Sequence, residues 1–160
     1  MRVITGLARG RKLKTPENYD IRPASEAVKE SMFSAFQFEI SGAKVLDLFA
    51  GTGQLGIEAL SRGASKAVFV DIDPKAIALV RENVKSVGFE DKAEIVSMPY
   101  TGFLKTNRQP FDIALIAPPY GRKMIAKLFP ALAEMMGENG IIICKHEKEL
   151  VLPDEADGFY

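Results

Sequence analysis

Short apolar runs alternate with stretches of helical period along most of this chain. Runs at 44–49, 67–71, 93–97, 111–116 and 140–145 read as strands. Between them, 53–62, 74–87 and 122–136 carry apolar residues at helical spacing, with one further turn near 100–105. Strands alternating with helices predict an α/β fold built on a parallel, doubly wound sheet. The run Ile141-Ile142-Ile143 suits a strand covered on both faces. Ahead of the first strand, Ala27, Val28, Met32, Phe33, Ala35 and Phe36 recur at helical spacing over 24–38. That segment follows the breaker Pro23, and Ser25 is a candidate N-cap, so an amphipathic helix is expected. Residues 1–20 hold Gly6, Gly10 and Pro16 and show no helical period, which predicts a flexible arm with short extended pieces. The division expected is a basic arm over 1–22 and one globular domain over 23–160. There is no internal repeat, low-complexity segment or linker.

Composition narrows the class. A chain of 160 residues, 47% hydrophobic and 26% charged, can bury a core without covalent staples. A single cysteine, Cys144, leaves no internal disulfide and fits a reducing compartment. Met1-Arg2-Val3-Ile4-Thr5 is too short an apolar stretch for a signal peptide, and no apolar run approaches the roughly 20 residues of a membrane span. A soluble, cytoplasmic, monomeric protein is expected. The net charge of zero argues against a nucleic-acid partner, but its distribution argues the other way. Arg2, Arg9, Arg11, Lys12 and Lys14 all precede the first acid, Glu17. Basic charge gathered in one arm attracts phosphates whatever the total. A solvated terminal strand accounts for the same residues.

Two stretches carry candidate chemistry. Gly51-Thr52-Gly53-Gln54-Leu55-Gly56 follows a strand, opens a helix and spells the dinucleotide fingerprint, in which glycine lets backbone approach a ligand. By itself the spacing also fits a tight strand-to-helix turn with no ligand. Asp47, at the end of the first strand, would repel a pyrophosphate but suits a ligand carrying an amino group and a sulfonium. That favours S-adenosylmethionine over NAD. Asp71 ends the next strand, where an acid can accept both ribose hydroxyls of an adenosine. Asp73 precedes Pro74 and reads instead as a helix N-cap. In the fourth strand and its exit, Phe111-Asp112-Ile113-Ala114-Leu115-Ile116-Ala117-Pro118-Pro119-Tyr120, the prolines free backbone carbonyls and Tyr120 offers a flat face for a base. Pro-Pro-Tyr alone fits an ordinary turn equally well.

Together, Asp47-Leu48-Phe49-Ala50-Gly51-Thr52-Gly53 and Pro118-Pro119-Tyr120 resemble methyltransferases that modify exocyclic amino groups of nucleic-acid bases. More closely, the chain resembles the bacterial RsmD family of 16S ribosomal RNA guanine-N2 methyltransferases. The matching residues are Ile4-Thr5-Gly6, Arg9-Gly10-Arg11-Lys12-Leu13, Pro16, Arg22-Pro23, Val28 to Phe33, and Leu55 through Ala64. The resemblance implies a Rossmann-like class I fold with S-adenosylmethionine near Asp47, Phe49, Ala50, Gly51, Gly53, Asp71, Ile72, Ser97 and Met98. It places the reacting base near Ala117, Pro118, Pro119 and Tyr120. Small-subunit ribosomal RNA, or its assembly intermediate, would lie on Arg9, Arg11, Lys12 and Arg22, with Lys29 near enough to extend that surface. A base amino group is a poor nucleophile, so catalysis rests on holding its hydrogens and aiming its lone pair, with the base out of its stack. No metal is implied, and Cys144 and His146 read as structural.

The chain departs from the family pattern at three places. Ala117 stands where Asp or Asn normally precedes Pro-Pro-Tyr, which removes a side-chain acceptor. Pro99 occupies a position that often reads the adenine amino group, leaving that task to Ser97 or backbone near Met98. Family members usually continue past the point reached at Tyr160 into a closing antiparallel hairpin, which is expected to be missing here and would leave 140–145 as a hydrophobic edge strand. Three other readings remain beside the RNA methyltransferase: a noncatalytic RNA-binding relative, an adenine-N6 methyltransferase, and an NAD-dependent oxidoreductase.

Overall fold

The computed structural model describes residues 1–16, 26–118 and 122–145, with side chains 122–124 outside the description. After the arm come α1 (Glu26–Ser34), β1 (Lys44–Leu48), α2 (Gln54–Ser61), β2 (Lys66–Asp71) and α3 (Pro74–Val87). A short 3-10 turn (Glu90–Lys92) leads to β3 (Ala93–Ser97), α4 (Tyr100–Thr106), β4 (Phe111–Ile116), α5 (Arg122–Met135) and β5 (Met136–Cys144). Among the described residues all four strand pairings are parallel, in the order β3-β2-β1-β4-β5. The chain thus starts in the middle of the sheet and winds outward twice. That leaves a crevice where β1 and β4 part, at their carboxyl ends.

The core follows from the burial of the strands. Val45, Leu46 and Leu48 of β1, and Ile113 through Ile116 of β4, are almost fully buried. Each strand feeds two apolar clusters, one on either face of the sheet. Helix α3 begins as the sequence predicts: Asp73 accepts a hydrogen bond from the Lys75 amide at 2.9 Å, and Pro74 takes the first helical position. Helix α5 runs through Pro130, whose missing N–H removes one rung, and passes into β5 without a loop. Strand β5 therefore starts at Met136, four residues earlier than the apolar run suggests. Among the described residues it forms one edge of the sheet.

Two expectations are corrected. The arm is not loose. The Val3 amide bonds the Arg11 carbonyl at 2.9 Å, and the Leu13 amide bonds the Met1 carbonyl at 3.0 Å, which folds the arm into a small antiparallel hairpin bridged at Arg2 and Lys12. Val3, Ala8 and Leu13 enter the core cluster. The hairpin lies along α2: Glu58 accepts the Ile4 and Thr5 amides, and the Ser61 hydroxyl accepts the Ala8 amide while donating to the Thr5 carbonyl.

Helix α1 also buries an unexpected face. Lys29 and Phe33 point inward, joined by Phe36 beyond the helix end, while Ala27, Val28 and Ala35 are exposed. Lys29 is 1% exposed, bonds the Arg2 carbonyl at 2.6 Å and pairs with Glu58 at 3.4 Å. It is therefore an internal clamp on the arm and not part of an RNA surface. Burial holds its ammonium pKa below the usual value, with Glu58 opposing the shift.

Candidate cofactor and nucleic-acid site

Strand register sets the site. Leu48 is level with Val70 on one side and Ile116 on the other, so Phe49, Asp71 and Ala117 leave the sheet at neighbouring points. Asp71 is in turn paired with Ser97, and the Met98 amide bonds the Asp71 carbonyl at 3.1 Å. Asp71, Ile72, Ser97 and Met98, separated in the sequence, are thus brought to one rim. Ile72 is 67% exposed, an apolar side chain open to solvent beside a carboxylate. That pairing suits a nucleoside, whose sugar is polar and whose base is flat and apolar.

The glycine loop is held from both flanks. Asp71 accepts the Gly51 amide through one oxygen and the Asp73 amide through the other, both at 2.9 Å. Asp47 accepts the Gly56 amide at 3.0 Å. Phe49 lies at φ 64°, a left-handed conformation that costs a non-glycine residue about 1–2 kcal/mol. Such strain persists where surrounding contacts enforce it, and it clusters at functional sites. Its ring lies 5.3 Å from that of Tyr100. Gly56 is obligatory for packing: a Cβ there would stand 2.3 Å from the Phe69 ring. Gly53 turns the loop into α2 at φ 81°.

Asp47 is 1% exposed, and its second oxygen, Oδ1, has no hydrogen-bond partner among the described residues; nor does Oε1 of the buried Gln54. Burial raises the Asp47 pKa to about 8, partly offset by the Gly56 amide. Once a cationic group displaces the Asp47 proton, Asp47 Oδ1 and Gln54 Oε1 are both open acceptors at the glycine loop, which fits a ligand that brings N–H donors and positive charge. The sequence did not single out Gln54; its place directly after the loop's second glycine was the available signal.

A testable consequence follows from the sign of the Asp47 shift. The protonated form is favoured by folding, so its contribution to stability is full below the unfolded pKa of 3.8 and is lost progressively as pH rises to about 8. A cationic ligand group at Asp47 would expel that proton. Calorimetric titration with S-adenosylhomocysteine at pH 7, in buffers of different ionisation heat, should then show release approaching about one proton. Asp47→Asn should abolish the release. A heat independent of buffer would remove Asp47 from contact with the ligand's amino group.

The arm's basic residues are distributed unevenly. Arg9, Arg11 and Lys12 are all exposed, and Arg11 donates to the Ser86 carbonyl at 2.5 Å. Arg22, Pro119, Tyr120 and His146 lie outside the described residues. Ala117 and Pro118 are half-buried at the end of β4, and the Lys145 amide bonds the Ile116 carbonyl at 2.8 Å just before them. Cys144 is half-buried, and burial lifts its thiol pKa to about 11, which leaves it protonated and unreactive. Among the described residues no three metal-ligating side chains gather, and no helix is long and apolar enough to cross a membrane.

Comparison with known proteins gives this geometry a family. The model of the family described as conserved hypothetical protein 95 matches residues 1–160. The ribosomal RNA small subunit methyltransferase D of Haemophilus influenzae is 32% identical over 96% of this chain and 83% of its own length. The chain belongs to the RsmD family. A Bacillus subtilis relative, the candidate rRNA methyltransferase YlbH, is 37% identical over 96% of this chain and 86% of its own. Among solved structures, the Thermus thermophilus hypothetical protein TTHA0928 superposes with a TM-score of 0.83 at 34% identity, covering 96% of this chain and 90% of that one. A more distant neighbour, SMU.776, named as a methyltransferase, is complexed with SAH. It has a TM-score of 0.67 at 25% identity and covers 78% of this chain and 36% of that one. The fold is that of the class I methyltransferases, and the cofactor class is S-adenosylmethionine. The RsmD-family relationship disfavours the NAD reading of the glycine spacing.

Proposed function

We propose that this RsmD-family protein methylates the exocyclic N2 amino group of a guanine in small-subunit ribosomal RNA, as a cytoplasmic monomer that needs no metal. The observation that carries the reading is the glycine loop held by two strand-end carboxylates, Asp47 and Asp71, beside the exposed Ile72. Asp47 and Gln54 would meet the amino-acid end of S-adenosylmethionine, and the backbone of Phe49, Ala50, Gly51 and Gly53 would pass along it. Asp71 would take the ribose hydroxyls, with Ile72, Ser97 and Met98 around the adenine. The bound cofactor supplies an electrophilic methyl group. Ala117, Pro118, Pro119 and Tyr120 would hold the base amino group in line, the first two through backbone carbonyls. Because such transfer needs donor and acceptor only about 3–3.5 Å apart and aligned, positioning does most of the work.

Arg9, Arg11, Lys12 and Arg22 would grip phosphates. Binding should then weaken steeply with salt, and each arm contact removed should make the slope shallower by about 1. The test uses labelled S-adenosylmethionine with naked small-subunit RNA and with assembly intermediates. Methyl incorporation at guanine N2 is expected. RNA bound without any incorporation would favour the noncatalytic relative that Ala117 suggests, and a methyl on adenine N6 would replace the substrate assigned here.

A further inference from the structure

Asn83 sits in the middle of α3, far in sequence from both the arm and the glycine loop, and is 1% exposed. Its side-chain amide is fully used. Oδ1 accepts the Lys14 amide at 2.7 Å, and Nδ2 donates to the Lys14 carbonyl at 3.0 Å and to the Thr52 carbonyl at 2.9 Å. One side chain therefore imitates a strand partner for the end of the arm while holding the peptide between Thr52 and Gly53. A second contact joins the same two segments, from the Thr52 hydroxyl to the Met1 sulfur at 3.7 Å. Neighbouring contacts tie the arm to the same helix: Lys14 pairs with Glu82 at 2.6 Å, and Arg11 bonds the Ser86 carbonyl.

We propose that Asn83 is a positioning residue that couples the basic arm to the glycine loop, so that RNA on the arm and cofactor on the loop strengthen each other's binding. This rests on the cofactor and RNA roles assigned above. A ligand that orders either segment fixes the Asn83 amide, and the partner ligand then meets a segment already ordered, which is the origin of positive coupling. Linkage makes the effect reciprocal.

The test begins without RNA. Amide hydrogen exchange is followed over residues 1–14 and 49–56 while S-adenosylhomocysteine is added. The loop should gain protection, and the arm with it by about fivefold or more, the lower end of ordinary couplings. Asn83→Ala removes all three bonds. Asn83→Asp keeps an acceptor for the Lys14 amide and loses the donor to Thr52. Both variants should still bind the ligand and protect the loop while the arm no longer responds. A transcript of small-subunit RNA should tighten S-adenosylhomocysteine binding by about fivefold or more in the unaltered protein and by less than about twofold in either variant.

Loop protection with an unresponsive arm in the unaltered protein overturns the proposal by itself and needs no variant. An arm response that survives both substitutions also overturns it. Failure of S-adenosylhomocysteine to bind at all removes the cofactor reading and this inference together. Failure of RNA to bind, with the arm still responding through Asn83, removes the RNA reading and leaves the link between loop and arm standing.

Discussion

Glu58→Ala is expected to destabilise the protein by about 3–5 kcal/mol, the range for breaking a buried charge pair from one side. Four groups depend on that carboxylate: the Ile4 amide at 2.8 Å, the Thr5 amide at 3.1 Å, Arg62 Nε at 3.0 Å and Lys29 Nζ at 3.4 Å. Glu58 itself has no exposed surface, so water cannot take its place without opening the core. In the variant Lys29 keeps the Arg2 carbonyl as a hydrogen-bond partner and the charge of Glu26 nearby, but loses its buried counterion, so its pKa, already lowered by burial, falls further. A lysine whose folded-state pKa is depressed costs nothing above its unfolded pKa, and costs progressively more as pH falls from there to the folded one. The deficit of Glu58→Ala should therefore shrink toward alkaline pH. Glu58→Gln keeps one acceptor but loses the charge and turns an NH2 toward two of the four donors, so it should recover only part of that loss. Thermal unfolding checks both, with a drop on the order of 10 °C expected for the alanine variant. A loss below about 1 kcal/mol would mean that the arm is held by its apolar residues alone.

The same carboxylate marks what local sequence pattern could and could not reveal. The strands, the cap at Asp73 and the loop from Asp47 to Gly56 are local features, written in runs, breakers and spacings within about ten residues. The docked arm is not local. Its anchors, Glu58, Ser61 and Asn83, bond backbone groups more than fifty positions away, and such polar side chains on a helix otherwise read as solvated. Lys29 left a trace, because it completes the stripe Lys29, Phe33, Phe36 along one helical face. The left-handed Phe49 left none, since its conformation is imposed by neighbours and not by its own preference. Within the candidate site, Asp71, Ile72, Ser97 and Met98 were nameable individually. Their meeting at one rim needed the β2–β3 register.

At the other side of the crevice, the largest functional change is expected from Ala117→Asp. Ala117 follows Ile116, which is paired with Leu48, so a side chain at 117 leaves the sheet level with Phe49. A carboxylate there would add an acceptor for an N–H of the target amino group. A hydrogen bond to a polar partner is worth about 1–3 kcal/mol. If it is made only in the transition state, at about 1.4 kcal/mol per tenfold, the rate should rise about ten- to a hundredfold. Because the gain belongs to the transition state, kcat should carry it while the KM for S-adenosylmethionine stays the same. Ala117→Asn should give part of the increase, since its amide oxygen accepts but carries no charge. Ala117→Ser, smaller and with a shorter reach, is the control for added polarity. Equal rates in all four proteins would mean that the carbonyls of Ala117 and Pro118 already hold the amino group. A rate that falls in Ala117→Asp while S-adenosylhomocysteine still binds would mean that the base pocket here is shaped around alanine, and the acceptor role would have to be sought elsewhere on the rim.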